Sequence, residues 1–175
     1  MKTRIALPLS FMAFVPFALA ALPDTVNYQS PKADITFVHP DKFKDIKDSY
    51  MPSEKGQKGL LDIFGKFVVS VADDLIPNGC KLTMTFTDVD FAGDFEPWHG
   101  PQSDDIRIVK DIYPPDYKFS WKVTDASGRV LREGTENLRD IDFQMNRSLA
   151  DDFGPIQSDK DEIRDWMHRH LRHLK

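Results

Sequence analysis

The sequence predicts an α+β fold: an antiparallel sheet of about four to five strands with two amphipathic helices packed on one face. Three observations predict it. Several stretches alternate apolar and polar residues with the two-residue period of a half-buried strand. Two others repeat apolar residues every three or four positions, the period of a helix. The strands cluster in the middle of the chain instead of alternating regularly with helices, which sets α+β apart from a parallel α/β sheet.

Residues 1–20 are expected to lie outside that fold. Lys2 and Arg4 make a basic start, "IALPLSFMAFVPFALA" is an apolar core, and Ala18 and Ala20 supply the small residues of a cleavage site. Two prolines break the run, and it falls short of the roughly 20 apolar residues of a membrane span. The expectation is a signal peptide cleaved after Ala20, delivering a chain with no transmembrane segment to the periplasm. Residues 21–32, polar and holding two prolines, read as a flexible lead-in to a single domain over 33–175.

"ADITFVHP" places Ile35 and Phe37 on one face of a first strand, closed by Pro40. The charged stretch that follows offers Phe43, Ile46 and Tyr50 as inward anchors. Leu60, Leu61, Phe64, Phe67, Val68, Val71 and Leu75 then form the stripe of a helix, ended by "PNG". Gly65 inside it lowers helix propensity by about 1 kcal/mol relative to Ala. "CKLTMTFTDVDF" is the second strand, with Leu82, Met84 and Phe86 inward, and "DIRIVKDIY" a third. "YKFSWKVTD" alternates most strictly, "DASG" turns the chain, and "RVLREGTENL" returns as its hairpin partner. Ser158 and Asp161 match a capping box for a final helix whose stripe is Ile163, Trp166, Met167, His170, Leu171 and Leu174.

Cleavage after Ala20 takes the basic residues from 23 to 21 against 28 acids, a formal charge of −7. That balance excludes a nucleic-acid partner, whose phosphates require clustered Lys and Arg. The single Cys80 has no internal disulfide partner and reads as a small buried residue leading into a strand.

"TDVDFAGDFEPWHG", residues 87–100, is the stretch where chemistry is concentrated. The alternation that sends Leu82, Met84 and Phe86 inward also sends Asp88 and Asp90 inward, and unpaired carboxylates are costly there. Either a bulge near Thr87 reverses the phase or the acids meet cations, for which Arg107 and Arg139 are the candidates. Asp88, Asp90 and Gly93 fit positions one, three and six of a calcium loop. Ala92 and His99 then fall where acids are required, so the EF-hand pattern fails. A looser oxygen-ligand site for a divalent cation, or a carboxylate pair for glycan hydrolysis, would draw on Asp88, Asp90, Asp94 and Glu96. His168, His170 and His173 do not share one helix face and read as a basic helix end. No G-x-S-x-G, Cys-His or glycine-rich phosphate motif is present, and no cofactor is predicted.

"ITFVHPDKFKDIKDS", "PNGCKLTMTFTDVDFAGDFEP", "DIRIV", "WKVTDASGRVLREGTENLRDIDF" and "DKDEIRDWM" resemble the exported bacterial proteins grouped as domain of unknown function 3016. The similarity runs from about Ala33 to Trp166. It implies export from a Gram-negative cell and carries over no catalytic residue. Asp88, Asp90, Gly93, Arg107 and Asp140 are the positions that resemble the family's signature. The residues themselves favour a non-enzymatic binding or envelope accessory domain. It would use the 92–103 loop, with Phe95 and Trp98 meeting an envelope protein or small ligand, since loops on a rigid sheet commonly carry binding. The carboxylate metal site or hydrolase is the alternative.

Overall fold

The computed structural model describes residues 22–100, 105–145 and 154–172. The expected signal peptide, His173, Leu174 and the last part of the 92–103 loop lie outside the described residues. The fold is α+β, a mostly antiparallel five-stranded sheet with two helices on one face.

The strands are β1 (Thr25–Gln29), β2 (Ala33–Val38), β3 (Lys81–Asp90), β4 (Asp94–Phe95), β5 (Arg107–Ile108), β6 (Asp116–Thr124) and β7 (Val130–Arg139). The helices are α1 (Glu54–Leu75) and α2 (Gln157–Leu171). The main sheet runs β1-β2-β3-β6-β7, while β4 and β5 form a separate two-stranded ribbon. "DIRIVKDIY" therefore contributes only the short β5, and not a strand of the main sheet.

Three further expectations are corrected. β2 and β3 pair parallel, because α1 carries the chain back across the sheet between them. The supposed lead-in holds β1, antiparallel to β2 from Thr25 opposite Val38 to Gln29 opposite Asp34. As an edge strand with only Val26 and Tyr28 half-buried, β1 carries too short an apolar pattern to stand out. Tyr50 is exposed, whereas Phe43 and Ile46 are buried as expected.

The core lies between the sheet and both helices. Ile35 and Phe37 of β2, Met84 and Phe86 of β3 and Phe119 of β6 meet Phe64 of α1 and Trp166 of α2. Phe37 stacks on Phe86 at 4.9 Å, and Trp166 stands edge-on to Phe119 at 4.8 Å. Polar Thr83, Thr85, Ser120 and Lys122 occupy the opposite face, so the alternation in β3 and β6 reflects one dry and one wet side.

Caps account for the helix boundaries. The Ser53 hydroxyl accepts the Gly56 N–H at 3.0 Å and starts α1 a turn before the apolar stripe. Ser158 does not cap α2, because the helix begins one residue before it. The cap position is Ile156, left-handed at φ 56°, ψ 35° with no side-chain cap.

Candidate functional site

The phase conflict in "TDVDF" is resolved by a register shift between Phe86 and Asp88. Thr87 is the extra residue, and beyond it Val89 is buried while Asp88 and Asp90 turn outward. Their partners are lysines and not Arg107 or Arg139. Asp88 receives Lys118 Nζ at 2.9 Å and the Lys44 amide at 3.0 Å, and Asp90 binds Lys44 Nζ. Burial would raise the Asp88 carboxyl, but these hydrogen bonds outweigh it and hold it below the usual range. Burial pushes Asp90 upward despite Lys44.

Arg107 instead clasps Asp45. Its Nη1 and Nη2 reach the two Asp45 oxygens at 3.0 and 3.2 Å. Nη1 also donates to the Gly93 carbonyl at 2.9 Å, and Nη2 to that of Lys47 at 2.9 Å. The short ribbon makes this possible by placing Arg107 opposite Phe95, whose ring lies 4.9 Å beneath the guanidinium. Asp45 is held in turn by the backbone, donating its amide to Val89 and accepting that of Phe91. Gly93 must be glycine. It sits at φ +86°, and a Cβ there would lie 2.8 Å from the Ile108 carbonyl.

The carboxylates of the metal or hydrolase alternative do not converge. Glu96, 2% exposed, is enclosed by Lys110 Nζ at 2.6 Å, Tyr113 Oη at 3.0 Å and His99 Nε2 at 2.9 Å. The Lys110 hydrogen bond leads the causes that lower its pKa. Asp94 accepts the Phe95 amide at 2.7 Å. Among the described residues no three His, Cys, Asp or Glu side chains are grouped to hold a metal. Arg139 ends β7 opposite Asp116 and borders a hollow of about 150 Å³ with Lys44, Asp45 and Asp90. Asp140 belongs elsewhere, hydrogen-bonded to the buried Glu162 of α2; burial and that contact push Glu162 up to about 7.

Of the two aromatics expected to bind, Trp98 is exposed and Phe95 is only 4% exposed. Phe95 is therefore no surface contact but one wall of a cavity of about 360 Å³ between the β4–β5 ribbon and the start of α2. Leu60, Ala92, Val109 and Ile156 supply its other apolar walls, and Arg107, Asp159 and Gln157 its polar ones. The Asp159 side chain is fully enclosed. Oδ1 accepts the Ala92 amide at 2.9 Å and the Tyr117 hydroxyl, while Oδ2 has no partner among the described residues. Burial pushes Asp159 up to about 6, against the hydrogen bonds from Tyr117 and Ala92. Burial, then the neighbouring Asp159 charge, holds the Tyr117 phenol protonated well above its ordinary range.

Sequence reasoning missed Asp45, Asp159 and the strained Ile156. One signal was there for Asp159: Tyr117 faces inward on the strictest strand, and a buried tyrosine hydroxyl requires an acceptor. Ile156 gave none, because a β-branched residue with positive φ is unfavourable locally and is held by its surroundings.

Fold and site together define an α+β domain with a bracing arginine clasp beside an apolar cavity that holds one buried carboxyl. The chain belongs to the protein family of unknown function DUF3016, whose profile matches residues 31–169. No curated protein and no solved structure matches the chain.

Proposed function

We propose that the protein is an exported, periplasmic binding domain without catalytic chemistry of its own, taking a small ligand in the cavity walled by Phe95. The observation that carries this reading is the cavity itself. Its exposed wall area is largely apolar, Asp159 on that wall is placed by buried hydrogen bonds, and about 360 Å³ suits a compact molecule. Strain at Ile156 on the same wall is of the kind that gathers at ligand sites. Export rests on the basic, apolar and small-residue pattern of residues 1–20.

The test is a melting-temperature screen of residues 21–175 against small molecules of cationic, neutral and anionic classes, with Val109→Trp to fill the cavity. A ligand at about 100 times its dissociation constant adds about 2.7 kcal/mol, which moves the midpoint by several degrees. The expected outcome is a rise with at least one class that Val109→Trp abolishes. If no compound acts and Val109→Trp only raises the melting temperature, the cavity is a packing void and the reading fails. Recovery of the uncleaved chain in the cytoplasm would overturn the export part.

A further inference from the structure

β7 is the outermost strand of the main sheet, and among the described residues no strand pairs with its outer side. It runs for 10 residues, and an edge of that length is a template for another chain. The opposite edge, β1, has 5 residues and carries no charged side chain. β7 carries two charges on the face that holds the helices, since Arg132 stands opposite buried Val123 of β6 and Glu136 opposite buried Phe119. Inward charges of this kind blunt an edge toward arbitrary strands. Both are held in place. Arg132 Nη1 donates to the His170 carbonyl of α2 at 2.6 Å, and Glu136 Oε1 accepts the Trp121 indole N–H at 3.1 Å. Midway between them is Gly134, where a Cβ would lie 2.9 Å from Trp121 Nε1, so the indole crosses the strand at that point.

The spacing of those charges selects a partner. Two copies of one strand that pair antiparallel about a two-fold axis place one residue opposite itself. Every other residue then faces the one equally far beyond that centre. Centred on Gly134, Arg132 of each copy faces the partner's Glu136, and no like charges are opposed between Val130 and Leu138. Centred on Arg132, Glu133 or Glu136, a charge meets its own copy. Centred on Thr135, Arg132 falls opposite Leu138 and Glu136 opposite Gly134, so no ion pair forms. Unlike charges directly across a strand pair stabilise it and like charges destabilise it. The pattern that repels other strands therefore admits one arrangement of an identical strand.

We infer that the protein forms a two-fold symmetric dimer through β7, its partner a second copy of the same chain, with Gly134 at the axis. The two five-stranded sheets become one continuous sheet. The axis stands perpendicular to that sheet, so the helices of both copies lie on the same face. The contact runs along a single strand, which is small for an obligate dimer, so association is weak and concentration-dependent.

The experiment is sedimentation equilibrium of residues 21–175 from about 1 to about 300 µM, on wild type, Arg132→Glu, Glu136→Arg and an equimolar mixture of the two variants. Each variant opposes like charges when it pairs with itself, whereas one copy of each opposes unlike charges at both positions. Wild type is expected to dimerise with a dissociation constant on the order of 10 µM, each variant alone about tenfold or more weakly, and the mixture like wild type. Melting curves check that the variants fold, since Arg132 also holds His170 and Glu136 also holds Trp121. If either does not fold, hydrogen exchange of wild type decides: alternate β7 amides slow as protein concentration rises, and unchanged exchange overturns the dimer. Wild type that stays monomeric at every concentration also overturns it, leaving the edge to solvent or to a strand of another protein. So does a dimer that both variants leave intact, which would use another surface, or one that the mixture fails to restore.

Discussion

Arg107 is a residue whose removal should be felt well beyond its own contacts. It joins β5 to Asp45, to Lys47 and to the Gly93 turn, with its side chain 14% exposed. Truncating it leaves the buried Asp45 carboxylate without its bidentate partner, and breaking such a pair costs about 3–5 kcal/mol. Arg107→Ala should therefore lower the melting temperature by about 10 °C in thermal denaturation. Adding Asp45→Asn should return part of it, because the stranded charge is then gone. No recovery in the double variant would mean that the carbonyl contacts, and not the ion pair, dominate.

At the scale of elements, the informative contact is between the first strand and the first helix. Helix propensity alone says that Gly65→Ala should stabilise α1 by about 1 kcal/mol. The structure reverses the sign. An added Cβ would lie 2.2 Å from the Tyr28 ring, which cannot withdraw while its hydroxyl donates to Asp62 Oδ1 at 2.6 Å. Gly65→Ala is expected to lower the melting temperature, and Gly65→Ala with Tyr28→Ala to behave as an ordinary helix substitution. The same contact explains why residues 25–29 form a strand. Tyr28 packs on Phe37 at 5.8 Å and closes one end of the core, a role that five largely exposed residues do not announce in sequence. The β3 bulge shows the opposite case. Its need was legible in "TFTDVDF", because Asp88 and Asp90 would otherwise have faced the core, but its partners were not. Lys44 lies in a charged loop and Lys118 on the wet face of β6, where any of several lysines would have served equally well on paper.

For the whole molecule, opposing carboxyl shifts set the pH dependence of stability. Asp159 and Glu162, at about 6 and about 7 in the fold, lie above their unfolded values of 3.8 and 4.5. Each binds its proton more tightly when folded, so its contribution is complete at low pH and is lost as pH rises to neutrality. Asp62 and Asp88 are shifted downward, Asp62 foremost by the Tyr28 hydroxyl and Asp88 by Lys118 and Lys44 against its burial. Their contributions are present above the unfolded value and are lost as pH falls. Stability should therefore peak at about pH 4 in denaturant titrations, near the unfolded values that both sets share. Asp159→Asn should flatten the decline between about pH 4 and pH 6, a loss of roughly 2–3 kcal/mol in wild type from a shift of about two units. A wild-type curve that instead rises steadily to neutrality would show that Asp159 ionises freely in the fold.

What the sequence determined by itself was everything governed by local period: the α+β class, the span of β3, the β6–β7 hairpin, the stripes of α1 and α2, and the place where alternation had to break. Those features depend on residues two, three or four apart, whose spacing is written directly in the chain. Tertiary structure decided the parallel pairing of β2 with β3, the edge strand β1, the clasp between Arg107 and Asp45 and the cavity around Asp159. Asp45 and Arg107 are 62 positions apart, and Ala92 and Asp159 are 67 apart. A buried charge or hydroxyl declares only that it needs a partner. Which partner it finds depends on how helices and sheet pack, and no period along the chain encodes that choice.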